Sequence, residues 1–527
     1  MRKVVVAAFG VASLLSACSG NEDAALVNAE PSTPGRTTTT AVSTATTFVT
    51  TSAESPATTG AAAPPAVESM PCDPVPSDPA RVTCWLLPTP ARHSNPTGPG
   101  IHIDVAVVAP TEEAAGQPPL VMLAGGPGFG SLGDIEQVLT GSWDRTVVLV
   151  DYRGVGLAHP SLACPEVDDL TLGLLSTDES DPASRALYLG SLQACHDRLV
   201  GGKIDLAAFN YTEIAADLAD LRIALGYPVW DLYGVSNGGR VALEVLRRHP
   251  EGIRSLVLDA AAPPQGNLRG ELWPHAQRAF DVLFDGCQSS PTCAAAYPNL
   301  GITFSQLVND LAAKPVDVAV NGPEGPGSVT VKFTASTVIN ALRGALYETT
   351  LIPLLPFFIS ELAAGRGYEQ VAQLIADRSI APRFSEGMSL SVECQEEVAF
   401  LPDGFFGAQA AQLPLLAPAI SVDRSVDGCR IWDVGRADPS IESPVISDVP
   451  TLLLVGQYDP VHPRPSSEEI ASGLSNSTLV EFPGLGHGTF GASPCPDSVM
   501  SAFLHDPAAP VDATCAIAMP PPAWVLP

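Results

Sequence analysis

Val229-Trp230-Asp231-Leu232-Tyr233-Gly234-Val235-Ser236-Asn237-Gly238 decides how this chain is read. Its first residues form an apolar run of strand character, and Gly239 to His249 carries a helical pattern. A serine with glycines two before and two after, placed where a strand turns sharply into a helix, is a nucleophile elbow. Such a turn strains the serine backbone and leaves no room for bulky neighbours. Gly234 and Gly238 remove those clashes, so the Ser236 hydroxyl can project from the sheet edge.

A serine hydroxyl needs a base to take its proton, and the base needs an acid to orient it. Two later segments offer them. Asp459 sits in Gly456-Gln457-Tyr458-Asp459-Pro460, after the apolar run Thr451 to Val455. His487 sits in Gly484-Leu485-Gly486-His487-Gly488, after the run Ser477 to Phe482. Both lie at strand exits, on the edge expected for Ser236. The order Ser, Asp, His is that of α/β-hydrolases. His462 is the nearest rival base, but it is too close to Asp459 in sequence to pair with it and is expected to line or support that loop. An oxyanion needs fixed donors, and backbone amides suit this because they need no reorganisation as charge develops. Asn237 should supply one N–H and Gly125 or Gly126 another, with Pro127 stiffening their turn. Losing one such donor costs on the order of 3 kcal/mol in the transition state.

Outward from these motifs, short apolar strands alternate with helices. Ile101 to Val108, Leu120 to Leu123, Val147 to Val150 and Leu256 to Leu258 are strand candidates, and Tyr211 to Leu225 has helical spacing. The pattern predicts an α/β fold, a mainly parallel sheet with helices on both faces. From 263 to 449 strand signals thin and amphipathic stretches such as Leu272 to Phe284 and Thr334 to Tyr347 dominate. That segment is expected to be a helical cap inserted between a first core part, 70–262, and a second, 450–527.

The chain has 527 residues, 46% of them hydrophobic, and a formal net charge of −30. Acidity on that scale argues against nucleic acid as a partner, since phosphate binding needs clustered Lys and Arg. At the N-terminus Arg2 and Lys3 precede an apolar stretch from Val4 to Leu15, then Leu15-Ser16-Ala17-Cys18. A basic start, a short apolar core and small residues read as a secretory signal, residues 1–17. The cysteine after Leu-Ser-Ala resembles the bacterial lipobox, which implies lipid attachment at Cys18 and an exported chain held on the outer face of the membrane, with release also open. Residues 18–69, rich in Ala, Thr, Ser and Pro, read as a disordered tether.

Eleven cysteines fit an exported chain. With Cys18 set aside, ten remain: Cys72, Cys84, Cys164, Cys195, Cys287, Cys293, Cys394, Cys429, Cys495 and Cys515. Connectivity does not follow from sequence, but pairing neighbours in order gives plausible loops. No Cys-x-x-Cys occurs and the histidines do not cluster with cysteines, so no metal is expected, nor any organic cofactor.

At five places the chain resembles the tripeptidyl-aminopeptidase branch of the proline-iminopeptidase family of α/β-hydrolases. These are Gly125-Gly126-Pro127-Gly128, Asp151-Tyr152-Arg153-Gly154-Val155-Gly156, the elbow, Asp459-Pro460-Val461-His462-Pro463 and Gly486-His487-Gly488. The resemblance implies hydrolysis of peptides from a free N-terminus, with cap carboxylates binding the substrate ammonium. Ser391-Val392-Glu393-Cys394-Gln395-Glu396-Glu397 resembles the family's cap segment, which puts Glu396 first and Glu397 second for that role. A buried ammonium needs such a compensating charge. Two residues depart from the family pattern: Ala124 stands where many relatives have His, and Asn237 where many have an aromatic or glutamine. A carboxylesterase with the same triad and a catalytically silent surface binding protein are the alternatives. Oligomeric state stays open.

Overall fold

The computed structural model describes residues 65–111, 116–322, 325–379 and 384–527. The expected signal segment, Cys18 and nearly all of the expected tether lie outside them. Among the described residues no helix is long and apolar enough to cross a membrane.

A nine-stranded sheet organises the molecule. Its strands, in chain order, are β1 (Glu68–Met70), β2 (Val82–Pro90), β3 (Gly100–Val108), β4 (Leu120–Leu123), β5 (Val147–Asp151), β6 (Trp230–Val235), β7 (Ile253–Asp259), β10 (Thr451–Gly456) and β11 (Ser477–Phe482). The spatial order is β1-β2-β3-β5-β4-β6-β7-β10-β11. From β5 to β11 every pairing is parallel, whereas β1, β2 and β3 form an antiparallel edge joined to β5. The backbone joins this sheet at Glu68, two residues before the expected start of the folded body.

Central strands are buried on both faces, which is why they read as continuous apolar runs rather than alternating ones. Leu232, Leu256, Leu258 and Leu453 pack into a core on one face; their neighbours Tyr233, Val257, Leu452 and Leu454 pack into another on the opposite face. Helices Tyr211–Ala224 and Asn237–Arg248 join the first of these cores.

The segment from 263 to 449 departs from a purely helical cap in two ways. It contains a hairpin, β8 (Val316–Gly322) with β9 (Gly325–Phe333). Alternating Val316, Val318 and Val320 mark the strand, but a Gly- and Pro-rich turn follows and dilutes the signal. It is also divided between two cores. Helices Leu268–Ser289, Leu300–Ala313 and Ala335–Tyr347, with the hairpin, build a core of their own. Met388, Leu390 and Val392 of helix Glu386–Glu396, with Trp432, instead pack into the core of the sheet.

Five disulfides join Cys72–Cys84, Cys164–Cys195, Cys287–Cys293, Cys394–Cys429 and Cys495–Cys515, which is the pairing of neighbours in order. Each crosslinks adjacent elements. Cys394–Cys429 clamps helix Glu386–Glu396 to helix Ser425–Trp432.

Candidate active site

Gly125, Ser236, Asp459 and His487 all follow the carboxyl ends of parallel strands, where open α/β sheets place their ligands. Ser236 follows β6 with φ 55° and ψ −122°, a left-handed conformation that costs a non-glycine residue. Packing enforces it. A Cβ at position 234 would stand 2.4 Å from the Gly238 carbonyl oxygen, and one at 238 would stand 2.0 Å from that of Leu123. The Ser236 N–H donates to the Asp259 carbonyl at 2.9 Å, fixing the turn to the end of β7.

Asp459 and His487 follow β10 and β11, which are neighbours in the sheet. His487 Nδ1 lies 2.9 Å from Asp459 Oδ2. Asp459 Oδ1 accepts the N–H groups of Val461 and His462 at 2.8 and 2.9 Å. Burial works against the Asp459 charge, but His487 and these donors outweigh it and hold the carboxyl below its ordinary range. Burial likewise opposes charge on His487, and Asp459 more than offsets that, so the imidazole holds its proton more tightly than usual. Ser236 Oγ makes no hydrogen bond to the imidazole among the described residues; such contacts are often long without substrate and tighten with it.

His462 is buried, its ring centroid 5.8 Å from that of His487. Burial, then the neighbouring His487, depress its pKa to about 3, so it is neutral and lines the loop.

Gly125 stands beside Ser236: a Cβ there would lie 3.1 Å from Ser236 Cβ. The N–H groups of Gly125, Gly126 and Asn237 donate to no protein acceptor among the described residues. Gly126 has φ 122°, and a Cβ there would meet the Gly128 nitrogen at 2.2 Å. Residues 384 and 385 dock on this turn, since Ser385 N–H donates to the Gly128 carbonyl at 2.9 Å and the Phe384 and Phe129 rings pack 4.9 Å apart.

Glu396 and Glu397 come together with Arg240 in one buried cluster. Glu396 Oε1 accepts the Tyr211 N–H at 3.2 Å, while its Oε2 is buried without a partner. Glu397 Oε2 accepts the Leu268 N–H at 2.8 Å, and its Oε1 lies 3.7 Å from Arg240 Nη1. Burial dominates both, against the pull of Arg240, and raises Glu396 to about 8 and Glu397 to about 7. Tyr211 links the cluster to the elbow: its hydroxyl accepts from Asn237 Nδ2, and Arg240 lies over its ring.

Sequence reasoning missed several residues that hold the site. The Asp259 carboxylate accepts Thr489 N–H, Thr489 Oγ1 and Phe490 N–H, and also the Tyr233 hydroxyl, all within 3.0 Å. It ties the His487 loop to the strand beside the elbow. Its only sequence signal is an acid at the end of Leu256-Val257-Leu258. Tyr347 packs edge-on against the His487 ring at 4.8 Å, and its carbonyl accepts the His487 N–H at 3.0 Å. The segment beginning Asp151-Tyr152-Arg153 is architectural. Asp151 accepts the N–H groups of Leu132 and Leu157, and buried Arg153 makes a two-point contact with Asp217.

Comparison with known proteins bears on the fold and the class of chemistry. Residues 118–294 match the alpha/beta hydrolase fold family and residues 417–515 the TAP-like protein family. Serine protease Hip1 of Mycobacterium tuberculosis is 24% identical over 479 residues, covering 83% of this chain and 88% of that protein. The tripeptidyl aminopeptidase of Streptomyces coelicolor is 26% identical over 225 residues, 40% of each chain. A proline iminopeptidase structure from Mycobacterium smegmatis is similar at a TM-score of 0.35 and 16% identity, covering 77% of this chain and 95% of that one. From the elbow to the late strands, fold and matched segments point the same way: the chain is a serine hydrolase of the α/β-hydrolase fold, with a C-terminal segment that matches the TAP-like family.

Proposed function

We propose that the chain is a serine aminopeptidase that cleaves peptides from a free N-terminus. The observation that carries this reading is the cluster of Glu396, Glu397 and Arg240, joined to the elbow through Tyr211 and Asn237. With both carboxylates ionised, two negative charges face one positive charge. A substrate ammonium supplies the missing positive charge and a donor for Glu396 Oε2.

Chemistry follows from the triad geometry. His487 Nδ1–H is held by Asp459, which leaves Nε2 as the base. Ser236 Oγ attacks the scissile carbonyl as its proton passes to Nε2, and the oxygen turns toward the N–H groups of Asn237 and Gly125 or Gly126. His487 then gives the proton to the leaving amine, the Ser–acyl bond remains, and water cleaves it by the same steps. The raised proton affinity of His487 means that activity is lost as pH falls and the base becomes protonated.

Carboxylesterase activity is the second reading. It is favoured by the raised pKa of Glu396, about 8, which leaves that pocket short of charge at neutral pH when no amine is present. Five disulfides support an exported chain. The lipid anchor at Cys18 rests on the sequence. Aminoacyl anilides, free and N-acetylated, compared with short-chain esters, test the reading. The expected result is turnover of free anilides, strong loss on acetylation, and a fall of roughly 10⁴-fold or more in Ser236→Ala. Turnover indifferent to acetylation rejects the aminopeptidase; Ser236→Ala at wild-type rate rejects the triad.

A further inference from the structure

A second pair of buried polar groups lies in the cap, and the reaction above leaves it unused. Trp273, on helix Leu268–Ser289, is 4% exposed, and its Nε1 has no hydrogen-bond partner. Arg343, on helix Ala335–Tyr347, has a buried Nε that is equally unpartnered. Its guanidinium carbon lies 5.7 Å from the Trp273 ring centroid and 5.8 Å from that of Tyr347. No carboxylate pairs with it among the described residues. Tyr347 in turn packs against the His487 imidazole at 4.8 Å. Trp273 Nε1 and Arg343 Nε, both without acceptors, thus lie on neighbouring groups that reach His487 through Tyr347, whose side chain the Arg343 guanidinium also bonds.

Buried donors without acceptors are costly and rare in native proteins. Indole and guanidinium groups can only donate, so one acceptor-only group satisfies both. A carboxylate is such a group, and an arginine fork suits it. Position gives the side. Glu396 and Glu397 reach the elbow through Tyr211 and Asn237, whereas Arg343 reaches the site through Tyr347 and His487. His487 is the group that hands a proton to the leaving amine.

We propose that Arg343 and Trp273 Nε1 form a carboxylate-binding subsite on the leaving-group side. It selects peptides that carry a carboxylate close behind the cleaved bond, either the free C-terminus of a short peptide or an acidic side chain. The proposal rests on the peptidase reading.

Short synthetic peptides test it, each made as the free acid, as the C-terminal amide, and as the amide with an acidic residue after the cleaved bond. Fragment release gives kcat/KM for each. Wild type is expected to favour the free acid over the plain amide by about tenfold or more, and Arg343→Gln to bring that ratio toward one. Arg343→Lys restores part of it. Trp273→Phe keeps the ring, loses the N–H and lowers the ratio several-fold; it carries the test should Arg343→Gln fail to fold. If the acidic amide matches the free acid, a side chain can fill the subsite; if it matches the plain amide, the C-terminus is the ligand. A wild-type ratio near one for both carboxylate forms, or a ratio that survives Arg343→Gln, overturns the subsite. N-acetylated copies report separately on the amine end. Loss of acid preference with the free N-terminus still required sinks the subsite alone, and cleavage indifferent to acetylation sinks the peptidase reading.

Discussion

Asp459 and Glu396 are both fully buried carboxylates beside one active site, yet their surroundings treat them oppositely. Asp459 has a partner for each oxygen and is held below the usual carboxylate range. Glu396 has one oxygen satisfied, the other orphaned, and a pKa pushed to about 8. On the proposed reading Asp459 serves catalysis in every turnover, and the protein itself completes it, so that no reorganisation is needed during the reaction. On the same reading Glu396 serves recognition and is left incomplete for the ligand to complete. An unmet hydrogen bond in the free protein then becomes selectivity for the right partner.

The largest expected break in this contrast is Asp459→Asn. With the imidazole no longer held in the useful tautomer, kcat should fall about 10⁴-fold for free and blocked substrates alike. Steady-state kinetics on both classes checks this, and a loss confined to free amines would make Asp459 a recognition residue. Glu396→Gln should cost on the order of 100-fold in kcat/KM for free-amine peptides. The penalty for N-acetylation, measured as a ratio, should shrink with it. An unchanged ratio removes Glu396 from the amine site.

Smaller, but more direct, is the effect on stability. An unfolded glutamate titrates near 4.5 and Glu396 near 8, so between those values the folded protein keeps a proton that the unfolded chain has lost. Its stabilising contribution is therefore present at low pH and is lost as pH rises from about 5 to about 8, by at most about 1.4 kcal/mol per pH unit for one group. Asp459, held low, runs the other way: its contribution persists at neutral pH and is lost only as pH falls through its depressed pKa. Urea melts across that range should show Glu396→Gln with the shallower decline and greater stability than wild type at pH 8. Parallel slopes would remove the distinction between the two carboxylates. Asp259→Asn should give the mildest effect, a fall in kcat of roughly tenfold with KM little changed, as the His487 loop loses part of its anchor. A rise in KM alone would assign Asp259 to binding.

Much of this was legible from residues. The elbow announces itself because only glycine fits at 234 and 238, a local steric fact. Asp459 and His487 stand out because each follows an apolar strand run directly. The disulfides follow chain neighbours because each crosslinks adjacent elements. What escaped was long-range. Asp259 looks like any strand-end acid until the fold brings Thr489 to it. The Tyr211–Asn237 contact joins positions with no shared periodicity. The division of 263–449 between two cores depends on which faces meet, and amphipathicity alone does not name the partner.

The backbone link between Tyr347 and His487 has a mechanical consequence. Position 486 tolerates only glycine, because a Cβ there would stand 2.5 Å from the carbonyl oxygens of both Leu346 and Tyr347. The end of helix Ala335–Tyr347 is thus seated on the strip of chain that carries the imidazole. On the proposed reading, any displacement of that helix would drag the proton acceptor off its mark.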